Sequence, residues 1–111
     1  MENWKHITDI ETISKIIENS TMKPQLIFKD SVTCGISAYA KERLVLGSKQ
    51  LEEQLDINYL DLLSYRNISN HIAEVFGVIH QSPQVIVLIN KEVIYNVTHH
   101  SIQVDGILSK L

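Results

Sequence analysis

Apolar residues that recur at helical spacing predict a helix near each end of the chain. The first follows Thr8, which stands at capping-box spacing from Glu11. Its apolar face is formed by four isoleucines, Ile10, Ile13, Ile16 and Ile17. A last helix is predicted within residues 99–111, weakened by the glycine at position 106.

Two more helices are predicted in the middle of the chain. One runs from Gly35 to about Leu46 and is followed by Gly47, and the other lies within residues 67–77 and stops at Gly77. Their apolar faces are formed by Ile36, Ala40 and Leu44 in the first helix and by Ile68, Ile72 and Phe76 in the second.

The remaining apolar runs are short and typical of strands. Residues 25–29 (QLIFK) and 57–63 (INYLDLL) are apolar and aromatic, as expected of buried strands. Residues 84–90 (QVIVLIN) and 92–97 (EVIYNV) are separated by so few residues that they form a hairpin. Residues 4–7 (WKHI) are consistent with a short edge strand.

Strands and helices therefore alternate until the final hairpin. Alternation requires right-handed crossovers between parallel strands, and the hairpin adds an antiparallel part to the sheet. The prediction is a single α/β domain over residues 1–111, with a mixed sheet of four to five strands and about four helices on its two faces.

Composition narrows the classes of function. The chain has 111 residues and a formal net charge of −3, and no basic run occurs in it, which argues against nucleic acid as a partner. No signal peptide or membrane-spanning stretch is recognisable, and only one cysteine is present. We therefore expect a cytoplasmic protein with no membrane partner, and a monomer.

The only cysteine, Cys34, is predicted to lie between the central strand and the helix that begins at Gly35. Unpaired backbone N–H groups and the positive end of the helix dipole stabilise a thiolate there, which lowers the thiol pKa. This position makes Cys34 a candidate nucleophile. The alternative is a cysteine packed as a small apolar residue.

Residues around Cys34 and a proline downstream extend the candidate site. Gly35 permits close approach by another chain or a small thiol, and Ser37 stands where a C-x-x-C motif would have its second cysteine. Pro83 precedes an apolar strand, as a proline at a strand start does. A cis bond at that position would expose the backbone of Ser82 to a substrate segment.

The element order, the TCGIS turn at residues 33–37 and the SPQV segment at residues 82–85 resemble the thioredoxin superfamily. Residues 59–88, together with Thr98 and His99, are similar to the monothiol bacilliredoxin family, whose turn usually reads Thr-Cys-Pro-Ile-Ser. Gly35 departs from that pattern. His100 also departs, because the family tends to have tryptophan there.

The resemblance implies a thioredoxin-like three-layer α/β/α fold, in which a cis bond before Pro83 faces Cys34, and a thiol–disulfide oxidoreductase. Its substrates would be S-bacillithiolated proteins, with bacillithiol as co-substrate and no tightly bound cofactor. Cys34 would attack the mixed disulfide, while Thr33, Gly35, Ser37, Ser82 and Pro83 would contact the sulfur or the substrate. Because the chain has no second cysteine, an external low-molecular-weight thiol or redox protein must release Cys34.

Two other functions remain open from the sequence. CGIS is close to the CGFS turn with which monothiol glutaredoxins hold a [2Fe–2S] cluster between subunits, although their downstream glycine pair is missing here. An inactive thioredoxin-like binding module is the other.

Several other polar residues have structural interpretations. Thr33 could simply cap the helix, and Lys29 is interpreted as a solvated lysine. No buried carboxylate is expected near Cys34, and His99 and His100 are adjacent and therefore do not share a helix face for metal binding.

Overall fold

The protein, described here by a computed structural model over residues 3–111, is built on one five-stranded sheet with helices on both faces. This confirms the predicted three-layer α/β/α arrangement. The elements are β1 (Lys5–His6), α1 (Glu11–Asn19), β2 (Gln25–Asp30), α2 (Gly35–Leu46), α3 (Ser48–Glu52), β3 (Asp56–Asp61), α4 (Arg66–Phe76), β4 (Gln84–Ile89), β5 (Glu92–Thr98), a 3-10 turn (His99–Ser101) and α5 (Val104–Leu108).

The sheet is mixed, as the order of elements predicts. Its strand order is β1-β3-β2-β4-β5, with β1, β3 and β2 parallel and with β4 antiparallel to both β2 and β5. The residues of β1 form the edge strand predicted within 4–7. Strand β2 is central, so all six of its residues are buried.

Apolar side chains alternate between the two faces of the sheet and form two cores. Leu26 and Phe28 of β2 pack with α2, α3 and α5, whereas Ile27 packs on the opposite face with α1 and α4. The end of β2 therefore sends consecutive side chains into different environments. Among residues 3–111, no helix has the length and apolar character needed to cross a membrane.

The beginning of α1 differs from the capping prediction. The backbone N–H and hydroxyl of Thr12 both donate to Oδ1 of Asp9, at 2.8 and 2.7 Å. Thr8 and Glu11 therefore do not form the predicted capping box. A carboxylate is the stronger acceptor for an unpaired N–H at the start of a helix, so Asp9 takes the role assigned to Thr8.

The structure contains five α-helices within residues 3–111, compared with about four predicted. The additional one is α3, a single short helix that follows α2 directly at Gly47. The tail is a 3-10 turn followed by the short helix α5. Gly106 has a packing reason, because a Cβ atom there would lie 2.9 Å from the hydroxyl of Tyr95.

Candidate active site

Cys34 lies at the junction that the sequence predicted, between the end of β2 and the start of α2. A turn closes at this point, with the N–H of Cys34 donating to the carbonyl of Ser31 at 2.9 Å. Cys34 itself has extended backbone angles and is the N-cap residue, and the carbonyl of Cys34 accepts from the N–H of Ala38. The thiol is partly exposed, so it is neither a core filler nor fully solvated.

The backbone at the start of α2 favours the thiolate. The N–H groups of Ser37 and Ile36, in that order of effect, lower the pKa of Cys34, and the hydroxyl of Ser37 adds to them. Partial burial and the nearby Asp30 carboxyl oppose this shift. The thiol makes no capping hydrogen bond in its present position, so these N–H groups are available to a thiolate.

Of the other predicted site residues in the turn, one is buried and two are exposed. Ser37 is fully buried, and its hydroxyl lies 3.4 Å from the N–H of Ser31, which holds the turn against the helix. Gly35 is exposed, and a Cβ atom there would meet nothing within 4 Å, so the approach to the thiol is open. Thr33 is exposed and precedes the N-cap, so it does not cap α2.

Ser82 and Pro83 lie beside the end of β2. Because Lys29 pairs with Gln84, the next positions, Asp30 and Pro83, are neighbours at the sheet edge from which the Cys34 turn leaves. The Ser82–Pro83 bond is cis, as predicted, and the carbonyl of Pro83 accepts from the N–H of His99 at 3.1 Å. The hydroxyl of Ser82 is buried without a hydrogen-bond partner among residues 3–111.

A buried carboxylate lies close to Cys34, contrary to the sequence prediction. Asp30 is 2% exposed and accepts a hydrogen bond from the hydroxyl of Tyr59. Burial raises the pKa of Asp30, while Tyr59 and the Lys41 ammonium, 3.9 Å away, act in the opposite direction. The prediction failed because the strand was ended at Lys29, one residue before the acid.

The interpretation of Lys29 as a solvated lysine is also wrong. Lys29 is fully buried on the face covered by α4, where its Nζ donates to the carbonyl of Ser69 at 3.1 Å and lies 3.3 Å from Nδ1 of His80. Burial lowers the pKa of Lys29 to about 8. Its position in an apolar strand covered on both sides was the signal for this burial.

Arg43 was not singled out from the sequence, yet it connects α2 to the segment after β5. Its Nε donates to the carbonyl of Ile102 at 2.7 Å and its Nη2 to that of His99 at 3.1 Å. These bonds fix the segment that contacts Pro83. His99 has a positive φ of 53°, and no group of three or more candidate metal ligands occurs in the described part of the chain.

Exposed apolar side chains lie within five residues of Cys34 along the chain. Val32 is 56% exposed, Ile36 is 39% exposed and Tyr39 is 66% exposed. Ile36 was predicted to share the buried face of Ala40 and Leu44, but it lies in the first turn of α2, beyond the layer of the core. The surface around Cys34 is thus suited to contact with another protein.

Comparison with solved structures gives the same fold. A candidate oxidoreductase with a thioredoxin fold superposes with a TM-score of 0.87 and 28% sequence identity, over 98% of this chain and 94% of that one. A thioredoxin from Fasciola hepatica matches with a TM-score of 0.70 and 10% identity, over 88% of each chain. A redox protein from Chlamydomonas reinhardtii matches with a TM-score of 0.74 and 16% identity, over 89% of this chain and 32% of that one.

These matches establish a thioredoxin-like oxidoreductase fold, in which Cys34 occupies the strand-to-helix turn opposite the cis-proline. The family model described as "Monothiol bacilliredoxin BrxC" matches residues 5–107, almost the whole chain. On this evidence the protein belongs to the monothiol bacilliredoxin family.

Proposed function

We propose that this protein is a cytoplasmic monothiol thiol–disulfide oxidoreductase that removes bacillithiol from S-bacillithiolated proteins. The observation that carries the proposal is the setting of Cys34 in a chain of this family: a partly exposed thiol at the N-terminus of α2, with its pKa lowered by the N–H groups of Ser37 and Ile36. Thiolate character at near-neutral pH is what disulfide exchange requires.

The first step transfers bacillithiol to the protein. The thiolate of Cys34 attacks the bacillithiol sulfur of the mixed disulfide, and a new S–S bond forms as the old one breaks. The electron pair of the broken bond leaves with the sulfur of the substrate protein, which then takes a proton. Oxidation state is conserved, because one disulfide replaces another.

The second step needs a thiol from outside the chain. Cys34 is the only cysteine in the sequence, so no internal attack can release it. A second low-molecular-weight thiol attacks the bacillithiol sulfur, and Cys34 leaves as the thiolate. That thiol supplies the reducing equivalents, and the product is a disulfide between two small thiols. The N–H groups of Ser37 and Ile36 assist both steps, since they stabilise Cys34 as nucleophile and as leaving group.

The surroundings of the thiol are suited to a protein substrate. The exposed side chains of Val32, Ile36 and Tyr39, close to Cys34 along the chain, offer apolar contact area. The backbone of Ser82 and Pro83 stands at the neighbouring strand start, where an extended substrate segment can pair with it. Gly35 leaves the approach to the thiol open.

A turnover assay with two forms of one model protein tests the proposal. Its single thiol is capped with bacillithiol in one form and with glutathione in the other, and release of the free protein is followed with excess bacillithiol present. We expect faster release from the bacillithiol form and no catalysed release with Cys34→Ser. Equal rates would refute the assignment to bacillithiol, and equal activity of Cys34→Ser would refute the role of Cys34.

A further inference from the structure

We propose that a small cavity on the face of the sheet opposite Cys34 is a binding site for an oxyanion, that is, a phosphate or carboxylate group of a small ligand. The cavity has a volume of about 130 Å³ and lies where α4 begins. Its lining residues are Leu62, Arg66, Ser69, Asn70 and His80. This site is separate from the thiol chemistry and does not depend on the proposed function.

Basic groups converge at this cavity. The ammonium of Lys29, fully buried directly behind it, contacts both the Ser69 carbonyl and the His80 ring. Lys29 and Arg66 both lie close enough to His80 to lower the pKa of the imidazole, after the larger effect of burial. The hydroxyl of Ser69 lies 3.1 Å from the same ring nitrogen. Arg66 and His80 therefore line the cavity, and the buried Lys29 ammonium contacts two of its lining residues, Ser69 and His80.

No acid balances these cations. Within residues 3–111, neither Lys29 nor Arg66 has a carboxylate oxygen within 4 Å, whereas other lysines of the chain do form ion pairs. The acids at this end of the sheet, Asp30 and Asp61, are register partners that interact on the other face, the one covered by α2. The chain as a whole is acidic, so this basic cluster is a local feature.

Burial of the Lys29 ammonium costs free energy unless a negative group pairs with it. A buried ammonium loses its hydration and is stable when paired with an anion or hydrogen-bonded throughout. Lys29 has three N–H donors, and two of them have partners in the structure. Two lining residues of the cavity, Arg66 and Asn70, carry further hydrogen-bond donors in the guanidinium and the side-chain amide. The guanidinium fork fits a carboxylate or phosphate particularly well.

The size of the cavity limits the ligand. A volume of 130 Å³ corresponds to the space of about four water molecules, enough for one phosphate or carboxylate group. Arg66, Asn70 and His80 are exposed, so such a group can enter from solvent. The rest of the ligand would remain outside the cavity.

The test is an NMR titration of the full chain near neutral pH, at constant ionic strength, with inorganic phosphate in one arm and acetate in the other. We expect saturable shifts of the Ser69, Asn70 and His80 amides in at least one arm. Saturation with phosphate alone or acetate alone supports the site and identifies the group that it binds. Shifts that stay linear in both arms would overturn the proposal.

Matched variants distinguish specific anion binding in the cavity from nonspecific attraction by surface charge. Arg66→Gln removes an exposed lining cation, and we expect it to weaken anion binding about tenfold. Lys49→Gln removes an exposed cation on α3 that forms no ion pair among the described residues, and we expect unchanged binding. Equal binding by wild type and Arg66→Gln, or equal weakening by both variants, would also overturn the proposal.

Discussion

The hydroxyl of Tyr59 donates a hydrogen bond to the carboxyl group of Asp30, beneath the turn that carries Cys34. Strands β2 and β3 are parallel neighbours, and Asp30 and Tyr59 project to the face covered by α2. The pair places a buried acid near the reactive sulfur. The charge of this acid raises the pKa of Cys34, while the N–H groups of α2 lower it.

Removing the charge of Asp30 is expected to stabilise the thiolate form of Cys34. In Asp30→Asn the opposing carboxylate is gone, so the pKa of Cys34 falls further below its ordinary value. Alkylation of Cys34 followed against pH measures this, and its midpoint should move to lower pH. Glu42→Gln, which removes an exposed carboxylate from α2, the helix that follows Cys34, is the control. An unchanged midpoint in Asp30→Asn would contradict the proposed coupling.

The buried Lys29 should make stability depend on pH in the alkaline range. Its pKa is lowered from 10.5 to about 8, so the unfolded chain binds more protons between these values and the free energy of unfolding rises with pH there. The rise attributable to Lys29 is up to about 3 kcal/mol. Urea unfolding of wild type and Lys29→Met from pH 7 to pH 10 measures it. The difference in the free energy of unfolding between wild type and Lys29→Met should change with pH across this range. A difference that stays constant with pH would contradict a lowered pKa of Lys29.

Gly35 can be replaced by the family's usual proline. Gly35 is the first residue of α2, where proline is favoured, and Cys34 before it already has the extended angles, φ −101° and ψ 127°, that a following proline requires. We expect Gly35→Pro to raise the free energy of unfolding by about 0.4–1 kcal/mol. Chemical denaturation measures this change.

Gly47 provides the matched contrast to Gly35. A Cβ atom at position 47 would lie 2.6 Å from the side chain of Val104, so Gly47→Ala should destabilise the protein. At position 35 a Cβ atom meets nothing within 4 Å, so Gly35→Ala should not. Loss of stability in Gly35→Pro or Gly35→Ala would show that the backbone at the thiol differs from the one described.

Sequence periodicity predicted the helices and strands well because the apolar residues that form both cores recur at regular spacing along the chain. Isoleucine spacing found α1 and α4, and the position of Cys34 followed from the junction of β2 and α2. Burial of Lys29 and Asp30 was missed, because a charged residue at the end of a strand is usually solvated. Arg43 was missed for another reason: its partners are backbone carbonyls 56 and 59 residues away, which leave no local pattern.

Arg43 should hold the segment next to Pro83. Arg43→Met removes both bonds to the carbonyls of His99 and Ile102, and we expect a loss of about 2 kcal/mol in the free energy of unfolding. Amide hydrogen exchange should become faster in residues 99–102. Lys49→Gln serves as control. Unchanged exchange in Arg43→Met would mean that the segment is held by its apolar contacts alone.

We propose that Cys34 takes bacillithiol from a protein, and with no second cysteine the chain cannot release it unaided. The decisive experiment measures the intact mass of the reduced protein after it is mixed with a model protein that carries a bacillithiol mixed disulfide. We predict one bacillithiol adduct per chain, absent from Cys34→Ser, equal in amount to the released model protein, and stable until an external thiol is added. Release of the model protein with no adduct on Cys34, or no release despite a thiol that reacts with small alkylating reagents, would contradict the claim.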